Sequence, residues 1–167
     1  MSSQATPAPV LVLTWGNPSR GDDALGPALY DMLVQHQSET GQLDHVEMLT
    51  DFQLQIEHAV DLEKRRLVIF VDAGVANPEP FSYQHLQPER DDSFTSHAMS
   101  PASVLSVYQQ VNQADPPPAY LLTIRAYEFG LGKDMSSRAR ENLETAFSFI
   151  LTKITGMEEK PINGLTV

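Results

Sequence analysis

Pro9-Val-Leu-Val-Leu-Thr-Trp15, followed at once by Gly16-Asn-Pro-Ser-Arg-Gly-Asp-Asp23, decides the fold. The first half is a short apolar run rich in branched side chains. Pro7 and Pro9 bound it in front, and Gly16-Asn17-Pro18 bound it behind. That pattern predicts a buried strand that ends in a turn. Beyond the polar loop, Leu25, Leu29, Met32 and Leu33 recur at helical spacing. They predict a helix from about Asp23 to His36, with Asp22 or Asp23 as its cap, because a short carboxylate accepts from the free N–H groups of a first turn. Gly41 closes the unit.

The same alternation continues along the chain. His45–Thr50 reads as a strand and Gln53–Leu62 as a helix. Arg66-Leu-Val-Ile-Phe-Val71 is the clearest buried strand and stops at Asp72-Ala-Gly74. Asn77–Pro80 is a turn, and Phe81–Leu86 is a short extended piece. Ser100-Pro101 opens a helix with proline at its first position. Pro116-Pro-Pro118 stiffens a connection, Tyr120–Tyr127 is a strand, and Ser136–Ile154 is a long helix. Strands alternating with helices predict an α/β fold: a three-layer α/β/α arrangement with a mostly parallel twisted sheet flanked by helices. The expected organisation is a flexible N-terminus over 1–8, one domain over 9–156, and a tail over 157–167.

Composition narrows the function. The 167 residues suit one domain with its own core. There is no cysteine, which excludes disulfides, thiol nucleophiles and zinc–thiolate sites. Acidic residues number 22 against 11 basic ones, a net charge of −11 that repels nucleic acid. Met1–Pro9 carries no basic residue, and no apolar run approaches the ~20 residues of a membrane span. The expectation is a soluble cytoplasmic monomer.

In a parallel α/β fold, ligands sit beyond the carboxyl ends of strands, near a switch in strand order. Three residues at such places carry chemistry. Asp23 follows the first strand, Asp72 ends the third, and His97 precedes the helix at Pro101. They stand 49 and 25 residues apart, so only the fold unites them. Two carboxylates and an imidazole make either a divalent-metal site with open positions or an acid/base set acting on water. The plainer readings are a helix cap for Asp23, a loop anchor for Asp72 and a solvated or capping His97. His36, His45, His58 and His85 fall at predicted surface positions. The loop lacks the Gly-Lys-Ser/Thr of a phosphate-binding loop and does not fit G-x-G-x-x-G. Asp22 and Asp23 would also repel a phosphate at that helix start. No G-x-S-x-G elbow is present, which removes one serine-hydrolase reading.

Four pieces in order resemble a known family. Gly16-Asn17-x-x-x-x-Asp22-Asp23-x-x-Gly26 after an apolar strand is similar to the opening motif of the [NiFe]-hydrogenase maturation endopeptidases. The others are Leu67–Val71 ending in Asp72-Ala73, then Ser96-His97 before a helix, then Tyr120–Ala126 with Phe129-Gly-Leu-Gly132 and Ser136-Ser137. Together they span residues 9 to 154. One departure is Ala24, where the family often has glycine. The resemblance implies an endopeptidase that removes a short C-terminal peptide from the hydrogenase large-subunit precursor after nickel insertion. It implies that Asp23, Asp72 and His97 contact nickel. Three ligands spread over separate loops suit a metal that arrives with the substrate better than one that resides in the protease, so no tightly bound cofactor is expected. Trp15–Asp23 and Gln53-Leu-Gln-Ile-Glu57 look most like the branch serving NAD-reducing bidirectional hydrogenases. The rival reading is a non-catalytic nickel-sensing chaperone of the same large subunit.

Overall fold

The structure, a computed structural model, describes residues 6–90 and 99–158. Five strands form one sheet: β1 Val10–Trp15, β2 Val46–Asp51, β3 Leu67–Gly74, β4 Phe81–His85 and β5 Ala119–Arg125. Their spatial order is β2-β1-β3-β5-β4. The first four lie parallel, and the short β4 runs antiparallel along β5. Three α-helices complete the fold: α1 Leu25–Thr40, α2 Pro101–Asn112 and α3 Ser137–Glu158.

The period-2 pattern of the strands divides the core into two layers. Val10 and Val12 of β1, with Ile69 and Val71 of β3, pack under Leu25, Leu29 and Leu33 of α1 and Ala146 and Ile150 of α3. Leu11, Leu13 and Trp15, with Val68 and Phe70, face the opposite way, onto Leu62, Val104 and Leu105. Every residue of β1 is buried, as expected for a central parallel strand covered on both faces. The expected three-layer architecture is therefore the observed one.

Local differences have physical causes. The helix expected from Asp23 begins at Leu25. Gly21–Ala24 instead forms a single 3-10 turn, and no side chain caps α1. Neither Asp22 nor Asp23 is a cap, because both carboxylates are engaged elsewhere. The helix expected over Gln53–Leu62 is a 3-10 helix, Ile56–Leu62. Its buried residues are His58, Ala59 and Leu62, while Ile56 and Val60 face outward. β3 runs on to Gly74, so Asp72 lies within the strand. The expected start of α2 holds: Ser100 Oγ accepts the Ser103 N–H at 3.1 Å, with Pro101 in the first turn. Gly41, at φ +69, ends α1 in the left-handed conformation that glycine adopts freely.

Candidate active site at the switch point

β1 has β2 on one side and β3 on the other, so successive crossovers diverge from it. The carboxyl ends of β1 and β3 therefore border the switch point. Asp23 sits on the loop that leaves β1. Asp72 sits in β3 one residue beyond Val71, which pairs with Thr14 of β1. The fold thus brings together two carboxylates that are 49 residues apart in sequence.

The Asp23 loop is tightly built. Asp23 Oδ2 accepts the Asn17 N–H at 2.7 Å, and its own N–H bonds the Arg20 carbonyl at 3.0 Å. Asn17 Oδ1 accepts the Ser19 N–H at 2.8 Å. Gly16 adopts φ +147, and a Cβ there would lie 2.0 Å from the Asp23 carbonyl oxygen. Gly26 meets the same constraint from the other side: a Cβ would lie 2.3 Å from the Trp15 carbonyl oxygen. The two glycines let the start of α1 pack directly on the end of β1.

Asp72 is an unusual carboxylate. Burial is the main influence and raises its pKa, and the neighbouring Asp23 charge raises it further. The Ala73 N–H, donated to Oδ1 at 2.8 Å, and the Trp15 indole pull the other way. The net result is a pKa pushed up to about 6. Trp15 is itself buried, edge-on to Phe70 at 6.1 Å between ring centroids. A carboxyl group that titrates near neutrality beside a second carboxylate is suited to proton transfer.

His97 lies outside the described residues. The described chain resumes at Met99, whose N–H bonds the Leu54 carbonyl at 3.4 Å just beyond β2. Among the described residues, no group of three His, Cys, Asp or Glu side chains could hold a metal ion.

Two residues have structural roles that the sequence reading missed. Asp22 is completely buried, and its carboxylate accepts four hydrogen bonds. Oδ2 takes the N–H groups of Tyr127 at 2.8 Å and Glu128 at 3.0 Å and the Ser136 hydroxyl at 2.8 Å; Oδ1 takes the Ser136 N–H at 2.7 Å. Burial works to raise its pKa, but the donors from Ser136, Glu128 and Tyr127 outweigh it and hold the group below its ordinary value. His58, expected at the surface, is buried and pairs with Asp51 through Nε2 at 3.2 Å. Its Nδ1 lies 2.8 Å from the Gln55 N and 3.2 Å from the Gln55 carbonyl oxygen. The partners of Asp22 lie 105 to 114 residues away, so no local signal could reveal them.

A cleft of about 320 Å³ opens beside the Asp23 loop. Gly16, Pro18, Pro27, Thr50, Asp51 and Phe52 line it. Large apolar side chains project from loops at this edge: Phe52 after β2, Val75 after β3 and Leu131 after β5, respectively 66%, 59% and 74% exposed.

Several solved structures share this fold. The hydrogenase maturating endopeptidase HybD from E. coli is 22% identical, with a TM-score of 0.67, over 89% of this chain and 93% of that one. The [NiFe] hydrogenase maturation protease HycI from Thermococcus kodakarensis KOD1 is 21% identical, with a TM-score of 0.65 and the same coverage of both chains. A hydrogenase 2 maturation peptidase from a Thaumarchaeota archaeon is 20% identical, with a TM-score of 0.61, over 87% of this chain and 97% of that one. No protein-family model and no curated protein matches the sequence. The chain has the fold of the hydrogenase maturation proteases, and it places Asp23 and Asp72 side by side at the switch point of that fold.

Proposed function

We propose that this protein is an endopeptidase that removes a short C-terminal peptide from a [NiFe]-hydrogenase large-subunit precursor after nickel insertion. The observation that carries the reading is the pairing of Asp23 and Asp72 at the switch point, close enough for their charges to repel. The shared fold supplies the context. The loops that follow β2, β3 and β5 carry the exposed Phe52, Val75 and Leu131, which would suit contact with a macromolecular substrate.

In this reading nickel belongs to the substrate. It arrives in the precursor and is recognised by Asp23, Asp72 and His97, which supply the carboxylate and imidazole donors that such an ion accepts. The protein needs no resident cofactor. A carboxylate at this edge can take a proton from an attacking water and return it to the departing amine. Asp23 remains fixed by the Asn17 N–H. The resemblance of Trp15–Asp23 and Gln53–Glu57 favours a precursor of the NAD-reducing bidirectional kind.

Site variants separate a protease from a chaperone that only binds nickel-loaded precursor. Asp23→Asn and Asp72→Asn are each expected to lower the rate of precursor shortening at least 100-fold while the melting transition stays cooperative. His97→Ala is expected to weaken binding of nickel-loaded precursor more than that of nickel-free precursor. Wild-type shortening by a folded Asp23→Asn protein would overturn the assignment. Tight precursor binding by the wild type, with no shortening under any condition, would favour the chaperone.

A further inference from the structure

We infer that Asp22 is a positioning residue: its buried carboxylate clamps the segment from Tyr127 to Ser136 against the loop of Asp23 and so fixes where the Asp23 carboxylate points. The clamp has several independent ties. Besides the four bonds to its carboxylate, Asp22 donates its N–H to the Glu128 carbonyl at 2.7 Å. The Gly21 N–H bonds the Lys133 carbonyl at 3.1 Å, and the Gly132 N–H bonds the Ser19 carbonyl at 2.7 Å. Arg20 Nε reaches the Phe129 carbonyl at 3.3 Å. Gly21 holds φ +55, and a Cβ on it would lie 2.5 Å from the Glu128 carbonyl oxygen. The two loops therefore touch backbone to backbone with no space between them.

Asp22 sits at the centre of this contact without a cationic partner among the described residues. Its charge is balanced by N–H and O–H donors alone, an arrangement that depends on the donors staying in place. Ser136 serves twice, since its hydroxyl donates to Asp22 and also accepts the Ala139 N–H at 3.3 Å in the first turn of α3. Asp22 is thus tied to the start of α3 on one side and, through the peptide bond, to Asp23 on the other. When the clamp is released, Asn17 to Asp23 loses its outer support and the Asn17 N–H to Asp23 bond opens.

The consequence for turnover rests on the endopeptidase reading; the placement of Asp23 does not. The test compares wild type, Asp22→Asn, Ser136→Ala and Ser136→Thr by amide hydrogen exchange and by steady-state processing of nickel-loaded precursor, far below each melting temperature. Asp22→Asn is expected to speed exchange of the Asn17 amide and of the 127–136 amides at least ten-fold, leaving β1 and β3 unchanged. Its kcat falls at least 30-fold with KM within three-fold. Ser136→Ala, which removes one donor and keeps the fold, lowers kcat several-fold, and Ser136→Thr restores it. A protected Asn17 amide in a folded Asp22→Asn or Ser136→Ala protein overturns the clamp. So does wild-type kcat in both variants. If wild type itself shortens no precursor, the endopeptidase reading fails, and the exchange data still decide whether Asp22 holds Asp23.

Discussion

Asp72 is ionised at neutral pH at a cost the fold must carry. Its pKa is pushed up to about 6 from an ordinary 3.8, so between those values the folded protein holds a proton that the unfolded chain has released. Stability from this group is therefore full at low pH and declines as pH rises toward the folded value. The penalty above pH 6 is about 3 kcal/mol. Asp72→Asn removes it. Denaturant titrations should show the variant gaining about 2.4 kcal/mol on wild type between pH 4 and pH 7. A constant difference across that range would contradict the raised pKa. Both members of the pair stood out in the sequence, Asp72 because it follows an apolar strand run and Asp23 because it sits between a strand-ending loop and a helical pattern. Asp22 and His58 were not. The first is defined by donors on a segment more than 100 residues away, and the second by a carboxylate at the end of a neighbouring strand.

At the scale of elements, the strands were the most legible parts. Branched apolar runs bounded by glycine and proline located β1 and β3 within a few residues, and Ser100-Pro101 marked the start of α2. The misread elements are the tight ones. A 3-10 helix repeats at three residues per turn, and the apolar spacing over Gln53–Leu62 does not distinguish it from an α-helix. The start of α1 was set two residues early because a carboxylate before an apolar helical pattern looks like a cap. What fixes that start is the contact of Gly26 with the end of β1. Gly26→Ala places a methyl 2.3 Å from the Trp15 carbonyl oxygen, which neither backbone can easily yield. The expected loss is about 3 kcal/mol, measured as a shift in denaturation midpoint at constant slope. A change below about 0.5 kcal/mol would show that α1 and β1 are not in backbone contact.

For the molecule as a whole, strand order does what no motif can. The order β2-β1-β3-β5-β4 turns two acidic residues distant in sequence into neighbours at one sheet edge. Strand alternation announced a parallel sheet, but only the resemblance of four ordered pieces linked that edge to a reaction. The net charge of −11 leaves the site on an acidic body, which favours the approach of a cationic group over an anionic one. Among the described residues, no helix is long and apolar enough to cross a membrane.

The proposed reaction is a nickel-dependent peptide cleavage at the Asp23–Asp72 edge. The most direct measurement is the mass of a [NiFe]-hydrogenase large-subunit precursor before and after incubation with the purified protein, in nickel-loaded and nickel-free forms. The expected result is loss of a short C-terminal peptide from the nickel-loaded precursor alone, and no loss with the Asp23→Asn variant. Equal cleavage of both forms would contradict nickel recognition, and an unchanged mass in both would contradict the endopeptidase.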